Sequence, residues 1–238
     1  MKPLNDEQFN QDYQLLLNHL TLKGLQPKTI DAYSRAVRRL GNYFNHQIRD
    51  LTEDQLIEYF VNLRSIRSWS TVDLDLNGLK FFYRYVLQTP WPHVDLIKPP
   101  SAKRLPDIVT IEEAGHLFSA TNKISYRTFY FTLYSLGLRI GEGLNLQIGD
   151  IDSVRMRIHV RGAKGNKDRF VPLPETTLDL LRRFWALHRN PVWLFPSRQG
   201  GLKASGKATK PMDRGGVQTT IRKVVEQCGI KKRLPLIA

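Results

Sequence analysis

The chain has 238 residues, of which 41% are hydrophobic and 24% charged, with a single cysteine and a formal net charge of +14. Those figures exclude a disordered chain, a disulfide framework and a Cys-based zinc site. No apolar run reaches the ~18 residues of a membrane span, and the N-terminus lacks the apolar core of a signal peptide, so a cytoplasmic protein with no membrane partner is expected. The charge is uneven. Residues 1–107 hold 14 Lys/Arg and 12 Asp/Glu, while residues 108–238 hold 22 and 10. A surplus of that size is self-repulsive unless a polyanion relieves it, and nucleic acid is the default partner. An anionic membrane is the alternative, but no basic amphipathic helix with a large apolar face stands alone.

The first half reads as helices. Asp6–Leu22 is amphipathic and closes at Gly24. Pro27 opens a second segment whose stripe is Ile30, Tyr33, Val37, Leu40 and Phe44, the spacing of one helical face. Lys28, Arg35 and Arg39 fall roughly opposite. Thr52 caps a third segment, with Glu53 and Asp54 in its first turn. Ser70 or Thr71 opens a fourth, with Leu79, Phe82, Tyr83 and Val86 facing the core and Lys80 and Arg84 pointing elsewhere. Pro90 to Pro106 is a stiff basic linker carrying Lys98, Lys103 and Arg104. The expected organisation is a helical domain over 1–89, a linker over 90–107 and a second domain over 108–238.

The second half begins with a capping box, Thr110 with Glu113. Ser125–Leu136 is aromatic and reads as buried, Gly137 breaks it, and Arg139–Leu146 reads as a short helix. MRIHV at 156–160 and RFVPL at 169–173 read as a β-hairpin around the turn GAKGNKD. Thr177–His188 is helical, and VWLFP at 192–196 is extended. RQGGLKASGKATK reads as a flexible basic loop, and Val217–Gln227 as a last helix. Cys228 reads as a buried or idle thiol, and His188 as an exposed residue at a helix C-terminus.

Arg139 follows Gly137 and precedes Glu142. A guanidinium binds phosphate oxygens through a planar fork and is always charged, and at a helix start it can share a phosphate with the N-terminal amides. Lys164 lies in the hairpin turn between Gly162 and Gly165, where it can donate a proton to a leaving oxygen. Either residue alone reads as a surface charge. Together, in a strongly basic half, they suit chemistry on a phosphodiester.

LGLRIGEGLNLQIGDID followed by HVRGAKGNKDRFVPL resembles the tyrosine recombinases, the phage-type integrase and Xer-like family. PKTIDAYSRAVRRL and WSTVDLDLNGLKFFYRYVL resemble the family's four-helix core-binding domain. The resemblance implies a mainly α fold with a small β-hairpin or sheet: a SAM-like core-binding domain and a partial catalytic domain. It implies that Arg139 stabilises the pentacoordinate phosphate, that Lys164 is the general acid for the 5′ oxygen and that Glu142 supports them. It implies no metal and no cofactor, with a tyrosine nucleophile forming a 3′-phosphotyrosyl link. Double-stranded DNA is the implied partner, with a homo-oligomer or a full-length recombinase on the same site. The DNA-facing candidates are Lys28, Thr29, Arg35, Arg39, Lys80, Arg84, Lys103 and Arg104. The family pattern also calls for a His-x-x-Arg box and a tyrosine downstream. Here GIKKR is followed by LPLIA, and the last of nine tyrosines is Tyr134. The sequence is therefore expected to be a recombinase cut short and inactive alone, with two alternatives kept open: a DNA-binding module that inhibits a full-length relative, and a non-functional remnant.

Overall fold

The computed structural model describes residues 4–92, 94, 107–163 and 167–232. The chain divides into two compact units, Met1–Ala102 and Lys103–Ala238.

The first unit packs α1 (Leu4–Leu22), α2 (Pro27–Tyr43), α3 (Glu53–Ile66) and α4 (Trp69–Phe82), which runs on into a π-helical turn, Tyr83–Leu87. Gly24 takes a positive φ of 66° between α1 and α2, and Pro27 pre-sets φ for the first turn of α2. Thr52 and Gln55 cap each other reciprocally at the start of α3. The cap of α4 is Ser68, not Ser70 or Thr71: its Oγ accepts the Thr71 N–H at 3.4 Å, because the helix already starts at Trp69. Leu16, Leu20, Val37, Leu40, Leu56, Leu79 and Phe82 form the core. A Cβ at Gly41 would run into the Phe9 ring, so glycine is what lets α1 lie against α2.

Two enclosed carboxylates brace this unit. Asp75 on α4 has no exposure, and Arg39 on α2 forks it through Nε (2.7 Å) and Nη2. Asp12 on α1 is forked by Arg49 at 2.9 and 2.7 Å. Burial also pushes the Tyr59 hydroxyl above its ordinary range beside the Asp75 pair.

The second unit runs α5 (Ile111–Ala120), α6 (Ile124–Leu136), α7 (Ile140–Leu144), a 3₁₀ turn (Ile148–Asp150), β1 (Ile151–Asp152), β2 (Arg157–Ala163), β3 (Lys167–Pro172) and α8 (Glu175–His188). It ends with α9 (Gly201–Ala204), a 3₁₀ turn (Ser205–Lys207) and α10 (Arg214–Gln227). The expected capping box of α5 is present, Thr110 with Glu113. The sheet is antiparallel in the order β1-β2-β3, so the expected hairpin has a third, two-residue strand beside it. Ile158 pairs with Val171 and Val160 with Arg169, and the register shifts between Val160 and Ala163. Phe129, Ile158, Val160, Phe184, Phe195 and Ile221 meet in one core, and the Tyr130 hydroxyl donates to the Val217 carbonyl at 2.8 Å to seat α10.

Four local expectations change. His188 is buried, not exposed: it packs on Phe184, its Nδ1 accepts the Asn190 N–H at 3.0 Å, and burial lowers its pKa. The basic segment after Arg198 contains α9 and a fully buried Ser205. Asn190 ties it down, donating through Nδ2 to the carbonyls of Ser205 and Ala208 while its Oδ1 accepts from Val192 and Trp193. VWLFP makes only single bridges, Gln147 with Trp193 and Pro196 with Pro211. Finally, α10 starts three residues early, at Arg214, where Asp213 accepts the Gly216 N–H at 2.6 Å.

Removing one partner of an enclosed ion pair strands the other charge, whereas exposed pairs contribute little. Arg39→Ala should therefore destabilise the first unit by about 3 kcal/mol. Arg35→Ala, which removes an exposed pair with Asp31, should change it by less than about 0.5 kcal/mol. Urea melts of the two variants check this, and equal effects would refute it.

Candidate active site

Arg139 is placed by its neighbours. Gly137 ends α6 with a φ of 61°, and Leu138 and Ile140 turn inward and are buried. Arg139 between them points out, with its side chain 63% exposed. A Cβ at Gly143 would meet Leu133 and Phe129, so the glycine lets the short α7 sit directly on α6.

The Glu142 side chain, only 7% exposed, is the centre of the site. Its Oε2 accepts the Arg139 backbone N–H at 2.9 Å, and its Oε1 accepts Arg139 Nη1 at 2.9 Å. Arg169 of β3 adds Nη1 to Oε1 at 2.8 Å and Nη2 to Oε2 at 2.9 Å. Both carboxylate oxygens are thus doubly hydrogen-bonded. The Arg169 bonds, then the amide and guanidinium of Arg139, bring the carboxyl down to about 2. The cluster carries one net positive charge. Arg139 spends a single nitrogen on Glu142 and keeps the rest of its fork toward solvent.

A second contact joins the same two segments. Asp150, buried at the end of the 3₁₀ turn, accepts the Gln147 N–H at 2.8 Å and has Arg161 Nη2 at 2.6 Å from its Oδ1. The hairpin therefore sends two arginines, Arg161 and Arg169, to two carboxylates of the segment that carries Arg139. At the hairpin neck, Asp168 accepts the Gly162 N–H and contacts His159 Nε2, both at 2.9 Å.

In the first unit, Lys28 is exposed and Thr29 half-buried in the opening turn of α2. Lys80 and Arg84 are exposed and line an open groove of about 630 Å³ with Gln88, Thr89, Pro90 and Trp91. Arg84 and Lys23 lie over the Tyr85 ring at 5.3 and 4.7 Å. Arg35 is engaged with Asp31, and the Arg39 fork is turned inward to Asp75.

Residues 103–235 match the phage integrase family. The chain belongs to that family, the tyrosine recombinases. Residues 13–93 match the N-terminal SAM-like domain of phage integrases. An integrase/recombinase of Sinorhizobium fredii is 34% identical over 144 residues, covering 60% of this chain and 57% of the relative. Tyrosine recombinase XerC of Alcanivorax borkumensis is 28% identical over 237 residues, covering 94% and 76%. The fold is shared with lambda integrase, solved as a tetramer bound to a Holliday junction, at a TM-score of 0.70 and 13% identity over 99% of this chain and 73% of that one. The chain spans 57% and 62% of the length of two S. fredii relatives.

Of the integrase residues expected from sequence, Arg139 and Glu142 are brought together. Lys164, Lys103 and Arg104 lie outside the described residues. No group of three or more metal-ligating side chains occurs among the described residues. Sequence reading missed Arg161 and Arg169. A signal for Arg169 was present: strand alternation puts it on the face of Val171, opposite Val160, where a charge needs a buried partner.

The pKa of Glu142 gives a pH dependence with a definite sign. Its folded value, about 2, lies below the unfolded carboxylate value of roughly 4.3. The stabilisation is therefore complete above about pH 4.3 and lost as pH falls toward 2, and it amounts to about 3 kcal/mol. Glu142→Gln should be less stable than the parent at pH 7 by roughly that amount, and the gap should close by pH 2. Denaturant melts across this range check it; a gap independent of pH would contradict it.

Proposed function

We propose that this chain binds double-stranded DNA and takes part in site-specific recombination of the tyrosine-recombinase type, with Arg139 stabilising charge on the phosphate that is cut and rejoined. The observation that carries the reading is the Arg139 fork: preset by Glu142, exposed, and largely unspent. Charge that develops on a phosphorane is met by a donor that need not reorganise, which is where electrostatic catalysis is strongest. Lys164 would supply the proton for the leaving 5′ oxygen, and Glu142 would hold Arg139. Lys28, Thr29, Lys80, Arg84, Lys103 and Arg104 would meet the backbone, and so would Lys23, which shares the Tyr85 ring with Arg84. Arg35 would contribute through its exposed pair and Arg39 by bracing the fold.

Residues 1–238 hold no tyrosine beyond Tyr134. We therefore assign to them DNA binding and phosphate stabilisation only. The same observation favours a second reading: a DNA-binding module that occupies the half-sites of a full-length recombinase and so inhibits it.

Released counterions make phosphate contacts visible as a salt slope of about −0.9 per contact. Duplex binding should weaken steeply with salt, and Arg139→Ala, Lys80→Ala and Arg84→Ala should each make the slope shallower by about 0.9. Fluorescence anisotropy with duplex DNA from 50 to about 300 mM salt measures it. Salt-insensitive binding would overturn the proposal. Adding the chain to a full-length relative separates the two readings: the module slows strand exchange in proportion to its occupancy of the site.

A further inference from the structure

We propose that Arg169 is a positioning residue for Arg139: it acts through Glu142 to hold the Arg139 guanidinium in the orientation in which a phosphate meets it. The phosphate part of this statement rests on the reading above; the positioning part does not.

The two arginines are bound unequally. Arg169 gives both terminal nitrogens to Glu142 in an end-on fork, whereas Arg139 gives one. The Arg169 side chain is about half as exposed as that of Arg139, 34% against 63%. Arg169 is committed inside the protein, and Arg139 is the one left to act outside. Planar, bidentate pairing fixes the carboxylate plane as well as its position, which a lysine ammonium does not do.

α7 cannot hold Glu142 unaided. It has five residues, IGEGL, and two are glycines, each about 1 kcal/mol poorer in a helix than alanine. A helix this short is unstable without tertiary support. That support includes apolar packing of α7 on α6, β2 and α10, and the fork from β3. Packing fixes the backbone of α7. Only the fork fixes the carboxylate that Arg139 leans on. Without Arg169, Glu142 keeps the Arg139 N–H but can rotate, and Arg139 loses its defined rotamer.

The test compares the full chain with Arg169→Gln and Arg169→Lys, first without DNA. NMR of the arginine guanidinium groups reports whether Arg139 is held, and carboxyl carbon shifts report the titration of Glu142. Backbone amide spectra show that each variant is folded. In Arg169→Gln, the restrained Arg139 guanidinium signals should average out, and the Glu142 midpoint should rise from about 2 toward the ordinary carboxylate range. Arg169→Lys, which keeps the charge but not the fork, should restore the midpoint in part and leave the Arg139 signals averaged. With a duplex added, Arg169→Gln should lower the salt slope by about 0.9, and Arg139→Ala should add nothing further in that background.

Unchanged Arg139 signals in a folded Arg169→Gln variant would overturn the proposal. So would a further fall in slope on adding Arg139→Ala, because Arg169 would then be touching phosphate itself. If the parent shows no salt-dependent binding to the duplex, the functional reading fails, while the DNA-free spectra still decide the positioning role.

Discussion

The Glu142 carboxylate has four acceptor positions and all are filled, two by Arg139 and two by Arg169. Its near-complete enclosure makes those bonds strong and makes their loss costly. Because the donors come from the start of α7 and from β3, one carboxylate sets the distance between the helix turn and the hairpin. A single contact between Arg161 and Asp150 joins the same two segments a few residues along. Two such ties prevent the hairpin from pivoting about either one. The exposed guanidinium of Arg139 is then a consequence of the clasp. It is held by one nitrogen and free elsewhere, and the Glu142–Arg169 pair that holds it is itself neutral.

The same device recurs in the first unit. Among the described residues, Asp12, Asp75, Glu142 and Asp150 are enclosed carboxylates, and an arginine from another segment meets each of them. A lysine could balance the charge, but it lacks the fork that satisfies two oxygens at once. In a chain with 36 Lys/Arg against 22 Asp/Glu, the arginines so engaged are unavailable to a polyanion. Exposed cations not so engaged, such as Lys28, Lys80 and Arg84, and the unspent nitrogens of Arg139 would remain for it. Net charge fits the polyanionic partner proposed above, while the internal clasps determine which cations could reach it.

Much of the fold was legible because it rests on local rules. The Ile30–Phe44 stripe, the Thr110–Glu113 box, the Gly137 break and the alternation around GAKGNKD each follow from a few neighbouring residues. The SAM-like and integrase family assignments rest on motifs that those same residues carry. What escaped was long-range. Arg39 sits on the polar side of its helix in a periodicity count, yet Asp75 draws it inward from α4. His188 ends a helix, yet the chain reverses at Arg189 and Asn190 packs the following segment over it. The basic stretch after Arg198 looks like a loop by composition, and a single asparagine far upstream orders it. Arg169 needed two inferences at once, that its strand face is inward and that Glu142 waits there. Electrostatic partners separated by 27 or 36 positions leave no periodic trace.

The coupling between Glu142 and Arg169 is measured most directly by a double-mutant cycle. The unfolding free energy of the second unit would be determined for the parent, Glu142→Gln, Arg169→Met and the pair. If the carboxylate is the shared anchor, the two residues should couple by about 2 kcal/mol, and the double variant should be little worse than either single one. A coupling below about 0.5 kcal/mol, the value of an ordinary surface pair, would contradict it.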